Sequence, residues 1–362
     1  MGRSIGQEYG KRIFSMGNMG YRLIKIWIKC GLILYFSRIK IYGLEHVPKD
    51  KPVLFLPNHQ NALLDVLLIA VDCNRKPYFL TRSDVFKKPL LKRFFKFLRM
   101  IPIYRIRDGR ESLKNNQAVF KECAHLLGKN EAILMFPEAN HNLKRRVRPL
   151  SKGFTRILFA ALEHNTDLDI RLVPVGLNYQ HAEGFPDRTA IFFGKDIPVR
   201  PLYDPGNLGT TADSLKQEVS RSLKCLTTHV ENEDDYNKII GILDKSNTDY
   251  LSPQKVNLQI KQMKELSKFS GKGEKPLDKP SPLYPIFLLL NLPVVLLWRW
   301  VLRPRVWEPE FTATLRFALA LLVYPLYYVV LLGILASIFG AAIAVVSILG
   351  IFLFNLLYVR LE

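Results

Sequence analysis

The sequence predicts an α/β fold, a mostly parallel sheet flanked by helices, joined to α-helical membrane segments. Three observations carry that expectation. From Gly43 to about Pro205 short apolar runs alternate with helical stretches, the pattern of strands linked by crossover helices. From Phe317 to Leu357 no residue is charged, which leaves room for two tight spans of about 20 residues each. Of 52 Lys and Arg in 362 residues, 22 lie within the first 110, against 7 Asp and Glu there, so most of the net +20 sits in the first third. A front this basic meets something anionic, and 48% hydrophobic residues exclude a disordered polar chain.

Residues 1–42 are read as an amphipathic membrane-interface helix. Within Tyr21–Lys40, Arg22, Lys25 and Lys29 fall on one helical stripe, with Leu, Ile and Trp27 filling the rest. That stripe is expected among anionic headgroups, with the apolar sector at the acyl boundary. No secretory signal is evident, because Lys25 and Lys29 interrupt the apolar stretch. Cys30, Cys73, Cys123 and Cys225 stand singly, without disulfide or zinc spacing, as in a reducing compartment.

Residues 43–205 form the α/β domain. Strands are expected at Pro52–Leu56, Tyr78–Thr81, Met100–Tyr104, Ala132–Phe136, Leu172–Asn178 and Thr189–Phe193. Helices are expected near Ala62–Val71, Pro89–Leu98, Glu111–Leu127 and Lys152–His164. The stretch from Val85 to Met100 mixes Phe with Lys and Arg and reads as a membrane-surface helix rather than a nucleic-acid contact. Residues 206–280 read as a helical, Lys-rich linker, with one amphipathic helix through Leu215, Val219, Leu223 and Leu226 and a terminal GKGEKPLDKP. Residues 281–362 form the membrane region. Pro282–Trp298 carries Asn291 and Pro293 at its middle and basic residues at both ends, so it is expected to be re-entrant or interfacial. A hairpin over about 317–358 follows, with Gly333 and Gly340 near its turn.

The chemistry concentrates where strands end, as it does in open α/β sheets. VLFLPNHQNALLD, residues 53–65, reads as a buried strand, a sharp polar loop and a helix start with Asn61 as N-cap. His59 and Asp65 are about 240° apart on a continuous helix, so His59 must lie in the loop and fold back. Asp65 then accepts from one imidazole nitrogen and leaves the other as a general base. MIPIYRIRDGR delivers Arg105, Arg107 and Arg110 to a second strand end, and AILMFPEANHNLKRRVRPLSKG delivers Glu138, followed by Lys144, Arg145, Arg146, Arg148 and Lys152. Guanidinium groups pair bidentately with phosphate oxygens, so this cluster beside a base points to a phosphate-bearing substrate. No HExxH spacing or CxxC pair accompanies His59, Glu138 and His141, and no Gly-rich nucleotide loop is visible; neither a metal nor a resident cofactor is expected.

The ordered set NHQNALLD, IPIYR, FPEANH and LVPVG, spread over roughly Gly43 to Tyr179, resembles the four motif blocks of the glycerolipid acyltransferases. These are the glycerol-3-phosphate and 1-acylglycerol-3-phosphate O-acyltransferases, here in a longer-spaced NHxNxxxD form. The resemblance implies a catalytic dyad of His59 and Asp65, an acceptor site served by Arg105 and Glu138, and Pro174 in an apolar strand. RPLSKG resembles the basic-Gly segment after the third block, which adds Lys152 and Gly153. Where the family usually continues its third block with Gly and then Thr-Arg, this chain has Ala139, Asn140 and His141, so Asn140, Lys144, Arg145 or Arg146 is expected to supply the phosphate contact. The implied activity is transfer of a fatty acyl group from acyl-CoA or acyl carrier protein to the hydroxyl of glycerol 3-phosphate, lysophosphatidate or a related lysolipid. Expected partners are membrane lipids, that thioester and a glycerophosphate-type acceptor, with no nucleic acid; the catalytic domain is expected to face the cytosol from an integral membrane anchor. The rival readings are a catalytically silent lipid-binding protein on the same fold and a nucleic-acid-binding membrane protein.

Overall fold

A computed structural model describes residues 5–86, 89–104, 114–265 and 281–362. Eight strands form one sheet: β1 (Phe36–Tyr42), β2 (Val53–Pro57), β3 (Tyr78–Arg82), β4 (Met100–Ile103), β5 (Ala132–Leu134), β6 (Arg171–Tyr179), β7 (Asp187–Phe193) and β8 (Ile197–Pro198). Their order is β1-β7-β6-β2-β5-β3-β4, with β8 paired to β6. All neighbours run parallel except β6 with β7 and β6 with β8. The expected mostly parallel sheet is therefore present, and it is wider by one edge than the sequence suggests.

That extra edge is β1. The segment FSRIKIY continues directly from α1 (Ile5–Tyr35) and pairs with β7, so the first helix stops at Tyr35 instead of running to Lys40. Two of the three basic residues of the α1 stripe point at the domain. Lys29 Nζ meets Asp72 at 2.6 Å and Lys25 Nζ meets the Cys73 carbonyl at 3.5 Å, both at the C-terminal end of α2 (Ala62–Asp72), where cations are favoured by the helix dipole. Among its described side chains α1 exposes the large apolar residues Met19, Leu23, Ile26, Trp27, Ile33 and Leu34, together with Arg22.

The sheet is packed on both faces because its central strands are apolar on both. Val53 and Phe55 of β2 face one layer with Leu64 and Leu68 of α2, Leu32 of α1 and Phe317 of α11 (Thr312–Phe339). Leu54 and Leu56 face the other, with α4 (Asn116–Gly128), α5 (Gly153–His164) and α6 (Leu208–Leu226). The helix α3 (Pro89–Phe97) precedes β4.

The segment after residue 206 is no linker. Leu215, Val219 and Leu223 of α6 are fully buried in the domain core, and α7 (Tyr236–Lys245) and α8 (Pro253–Glu265) close a smaller core around Val230, Ile239, Leu243 and Val256. The GKGEKPLDKP linker lies outside the described residues, as do Arg105, Arg107, Arg110 and the expected start of the helix at Glu111.

Toward the C-terminus, α9 (Tyr284–Leu290) meets α10 (Leu292–Leu296) and its continuation to Arg305 at a bend of 94°, centred on Asn291. Asn291 is fully buried and exchanges hydrogen bonds with Asn355, which also donates to the Tyr328 hydroxyl. The broken geometry follows from Pro293 and from a side-chain amide that bonds the Phe287 carbonyl within the helix. Two long helices complete the chain, α11 and α12 (Ala341–Leu361), both long and apolar enough to cross a membrane. Their turn is at Gly340, which has φ +85°; Gly333 stays helical.

Candidate active site

Asn58 fixes the end of β2. Its side chain donates to the Leu177 carbonyl at 3.1 Å and accepts from the Leu177 N–H at 2.7 Å, so the loop that follows springs from a defined point beside β6. His59 lies in that loop, and Asn142 N–H bonds its carbonyl at 3.0 Å. Asp65, in the first turn of α2, is completely buried. Its Oδ2 accepts from His59 Nδ1 at 2.8 Å, from Gln60 N–H at 2.9 Å and from Asn61 N–H at 2.7 Å, while Oδ1 accepts from the Tyr179 hydroxyl at 2.5 Å. The carboxylate thus does what an N-cap does, meeting N–H groups at the start of the helix where negative charge is favoured. Asn61, the expected cap, makes no side-chain cap bond and instead donates to the Ala182 carbonyl at 2.8 Å. With Nδ1–H held by Asp65 and the ring stacked on Phe136 at 3.6 Å between centroids, His59 presents Nε2, which has no hydrogen-bond partner among the described residues.

Glu138 lies next to this pair and is buried. Arg148 donates to its Oε2 from Nε at 2.9 Å and from Nη2 at 2.6 Å, and also bonds Asn140; Glu138 Oε1 is buried and unpartnered. Burial raises the Glu138 carboxyl above its ordinary range, with Arg148 pulling against it. His141 is 5.5 Å from His59 between ring centroids, packs edge-on against Phe311 and approaches Glu308 Oε2 at 2.8 Å. Burial pushes His141 down to about 4, so its ring is neutral at physiological pH. The segment just before α11 therefore covers the site, and Leu64 N–H donates to Thr314 Oγ1 at 3.2 Å. One ligand atom each from His141, Glu308 and Glu310 lies within 4.8 Å of the others, the group in this region able to hold a divalent cation.

The basic run, from which Lys144, Arg145 and Arg146 were expected to serve the acceptor, separates into three fates in the structure. Arg145 is a structural tie: it donates to the carbonyls of Tyr179 at 2.8 Å and Gln180 at 2.9 Å and stacks 3.5 Å over Tyr250. Lys144 and Arg146 both pair with Glu233, at 2.6 and 2.7 Å. Arg148 is the guanidinium that reaches Glu138. Lys152 is exposed just before α5, Asn140 is exposed beside Arg148, and Pro174 is buried in β6. Arg105 lies outside the described residues. Tyr179 and Glu308 were not among the expected site residues, since nothing in their local sequence marks them; they arrive through the β6 strand end and the membrane region.

Residues 38–178 match the family model described as Acyltransferase. That stretch runs from β1 to β6 and includes all four motif blocks. The chain is 28% identical over 114 residues to glycerol-3-phosphate O-acyltransferase 1 of Saccharomyces cerevisiae, covering 30% of this chain and 14% of that one. It is 24% identical over 203 residues to a 1-acyl-sn-glycerol-3-phosphate acyltransferase of Chlamydomonas reinhardtii, covering 54% and 55%. The chain thus spans from about a seventh to about half the length of these relatives. Among solved structures, the 1-acyl-sn-glycerophosphate acyltransferase PlsC of Thermotoga maritima aligns over 60% of this chain and 88% of its own, with 17% identity and a TM-score of 0.43. The four motif blocks fall at β2–α2, β4, β5 and β6; β6, β2 and β5 are adjacent strands, and β4 is the sheet edge beyond β3.

Proposed function

We propose that the chain is a membrane-bound O-acyltransferase that moves a fatty acyl group from an acyl thioester to the hydroxyl of glycerol 3-phosphate or lysophosphatidate. The observation that carries this is the His59–Asp65 pair, with one imidazole nitrogen held and the other free at the C-terminal edge of a parallel sheet. His59 Nε2 removes the hydroxyl proton as that oxygen attacks the thioester carbonyl. The new C–O bond forms, the C–S bond breaks, and the imidazolium returns the proton to the leaving thiolate, so no acyl-enzyme is needed. Asp65 stabilises the imidazolium. Because two backbone N–H groups and a tyrosine hydroxyl already hold that carboxylate, its orientation is set before substrate arrives. Arg148 on Glu138 supplies a guanidinium for the acceptor phosphate, alongside Arg105 by the family resemblance. The apolar hairpin α11–α12 anchors the domain, with the catalytic face toward the cytosol.

The test is the purified full chain given one labelled acyl-CoA, acyl carrier protein thioester as the alternative donor, and a panel of glycerol 3-phosphate, lysophosphatidate and other lysolipids. His59→Ala should lower turnover by roughly 10²–10⁴-fold with the fold intact. Arg148→Ala should raise the acceptor KM more than the donor KM. Undiminished transfer by His59→Ala would sink the mechanism, and transfer to no acceptor would favour a silent lipid-binding protein.

A further inference from the structure

Between the helical region and the α/β domain lies a cleft in two parts. The first, about 260 Å³, is walled by α1, α9, α11 and α12 and is apolar: Trp27, Leu34, Phe287, Phe317 and Phe352 are among the residues that line it. The second, about 300 Å³, adjoins it. Tyr35, Phe185, Phe287, Ala320 and Tyr324 line both, so the two lie side by side across these shared side chains. The second part carries Arg299, Arg303 and Arg316 against a single acidic side chain, Glu183. Among the described residues none of these guanidinium groups is paired with a carboxylate. Arg299 bonds the Tyr284 hydroxyl; Arg316 donates to the Glu183 carbonyl at 3.0 Å and lies 4.9 Å over Trp298. The Arg316 Nε is buried with no partner.

Arg299 and Arg303 are exposed at the mouth of the cavity and Arg316 is half-buried on its wall. The three guanidinium groups line one space, and Arg316 keeps its Nε donor buried and unsatisfied, which is costly unless a ligand acceptor meets it. The apolar part offers water almost no hydrogen-bond partner and stays dry or takes up hydrocarbon. A ligand that satisfies both halves has a chain and a phosphate. We propose that this cleft holds one anionic phospholipid, an acyl chain among Trp27, Phe317 and Phe352 and its phosphate on Arg299, Arg303 and Arg316. The inference rests on the membrane-bound reading above. Among the described residues none of the His59 site lines the cleft, so the lipid is a bound component separate from the reacting acceptor.

Native mass spectrometry of the detergent-purified full chain, offered equal phosphatidylglycerol and phosphatidylcholine, tests this. The anionic lipid should be retained about tenfold over the zwitterionic one. Arg299→Gln/Arg303→Gln/Arg316→Gln should abolish that preference. Should the triple variant fail to fold, Arg303→Gln, which removes no contact the described residues make, should lower the preference about threefold. Inorganic phosphate, lacking a chain, should not displace the lipid. Equal retention of the two lipids, a preference unchanged in the variants, displacement by inorganic phosphate, or displacement by acyl-CoA would each overturn the assignment, the last by giving the cleft to the donor. Carbonate extraction, read in parallel, separates the failures: release from membranes defeats the membrane-bound reading, whereas an integral chain without lipid preference defeats only this site.

Discussion

The α/β domain and the α11–α12 hairpin are both rich in Leu, Ile, Val and Phe, but they are built inside out with respect to each other. Phe55 and Leu54 of β2 are fully buried, whereas Leu326 and Val329 of α11 and Val346 of α12 are 66%, 67% and 70% exposed. Polar groups divide the same way. In the domain, the buried ionisable groups Asp65, Arg145 and Asp187 each bond backbone groups; in the helical region, Asn291, Asn355 and Tyr328 satisfy one another. On the proposed membrane-bound reading, two solvents explain the difference. A sheet domain in water drives apolar atoms inward, while a hairpin in hydrocarbon gains nothing by hiding them and must pair its few polar groups internally.

The largest expected effect tests the inward half. Phe55→Ala should cost about 3–5 kcal/mol, read as a fall in denaturation midpoint of the detergent-solubilised chain, because a cavity opens between β2 and its covering helices. Leu326→Ala should leave the same midpoint nearly unchanged. A comparable loss at both positions would mean that α11 is buried against protein and the contrast is false.

Next in size is a charge on the outward half. Val329→Arg, near the middle of α11, should cost roughly 2.5–3.5 kcal/mol of insertion free energy and shift part of the chain to the carbonate-soluble fraction. On a water-facing helix the same change would be close to neutral, so full membrane retention of the variant breaks the two-solvent account.

What was legible in the sequence was local. The six-residue spacing of His59 and Asp65, the apolar runs of β2, β5 and β6, and the uncharged hairpin each follow from neighbours within one or two turns. What was not legible depends on distant partners. Phe36–Tyr42 becomes a strand only because β7 offers it an edge, so a basic, β-branched segment next to a helix read as more helix. Tyr179 reaches Asp65 across 114 residues. In the run KRRVR, charge alone could not say which side chain turns inward; Arg145 is tied by carbonyls of β6 and the residue after it, and Glu233 claims Lys144 and Arg146.

A smaller effect probes a buried charge of the domain. Burial lifts the Asp187 carboxyl to about 7, with the His181 and Arg188 N–H groups and Arg145 acting against it. A raised folded value means a contribution fully present below the ordinary carboxylate value and lost as pH rises through about 7. Wild type should therefore lose about 2 kcal/mol between pH 5 and pH 7 from this group, whereas Asp187→Asn, which keeps the Oδ1 acceptor for His181 N–H, should show a flatter profile. Parallel profiles for the two proteins would show that the carboxyl is ionised throughout.

The smallest effect lies beside the proposed site. Ala139 has φ +66°, a left-handed conformation that costs an L residue with a Cβ about 1–2 kcal/mol and costs glycine little. The turn is imposed from both sides: Ala139 N–H bonds the Phe136 carbonyl at 3.2 Å, and Glu138 is held by Arg148. Glycine regains most of the strain but gives back some in unfolded-state entropy, so Ala139→Gly should stabilise the domain by roughly 0.5–1 kcal/mol. Ala139→Val should destabilise it, since a β-branched side chain tolerates this region worst. Neither change touches His59 or Asp65, so turnover per folded molecule should stay near wild type if Glu138 and Arg148 keep their places. A stabilised Ala139→Gly protein with a raised acceptor KM would instead show that the strained turn itself holds Arg148 where the phosphate needs it.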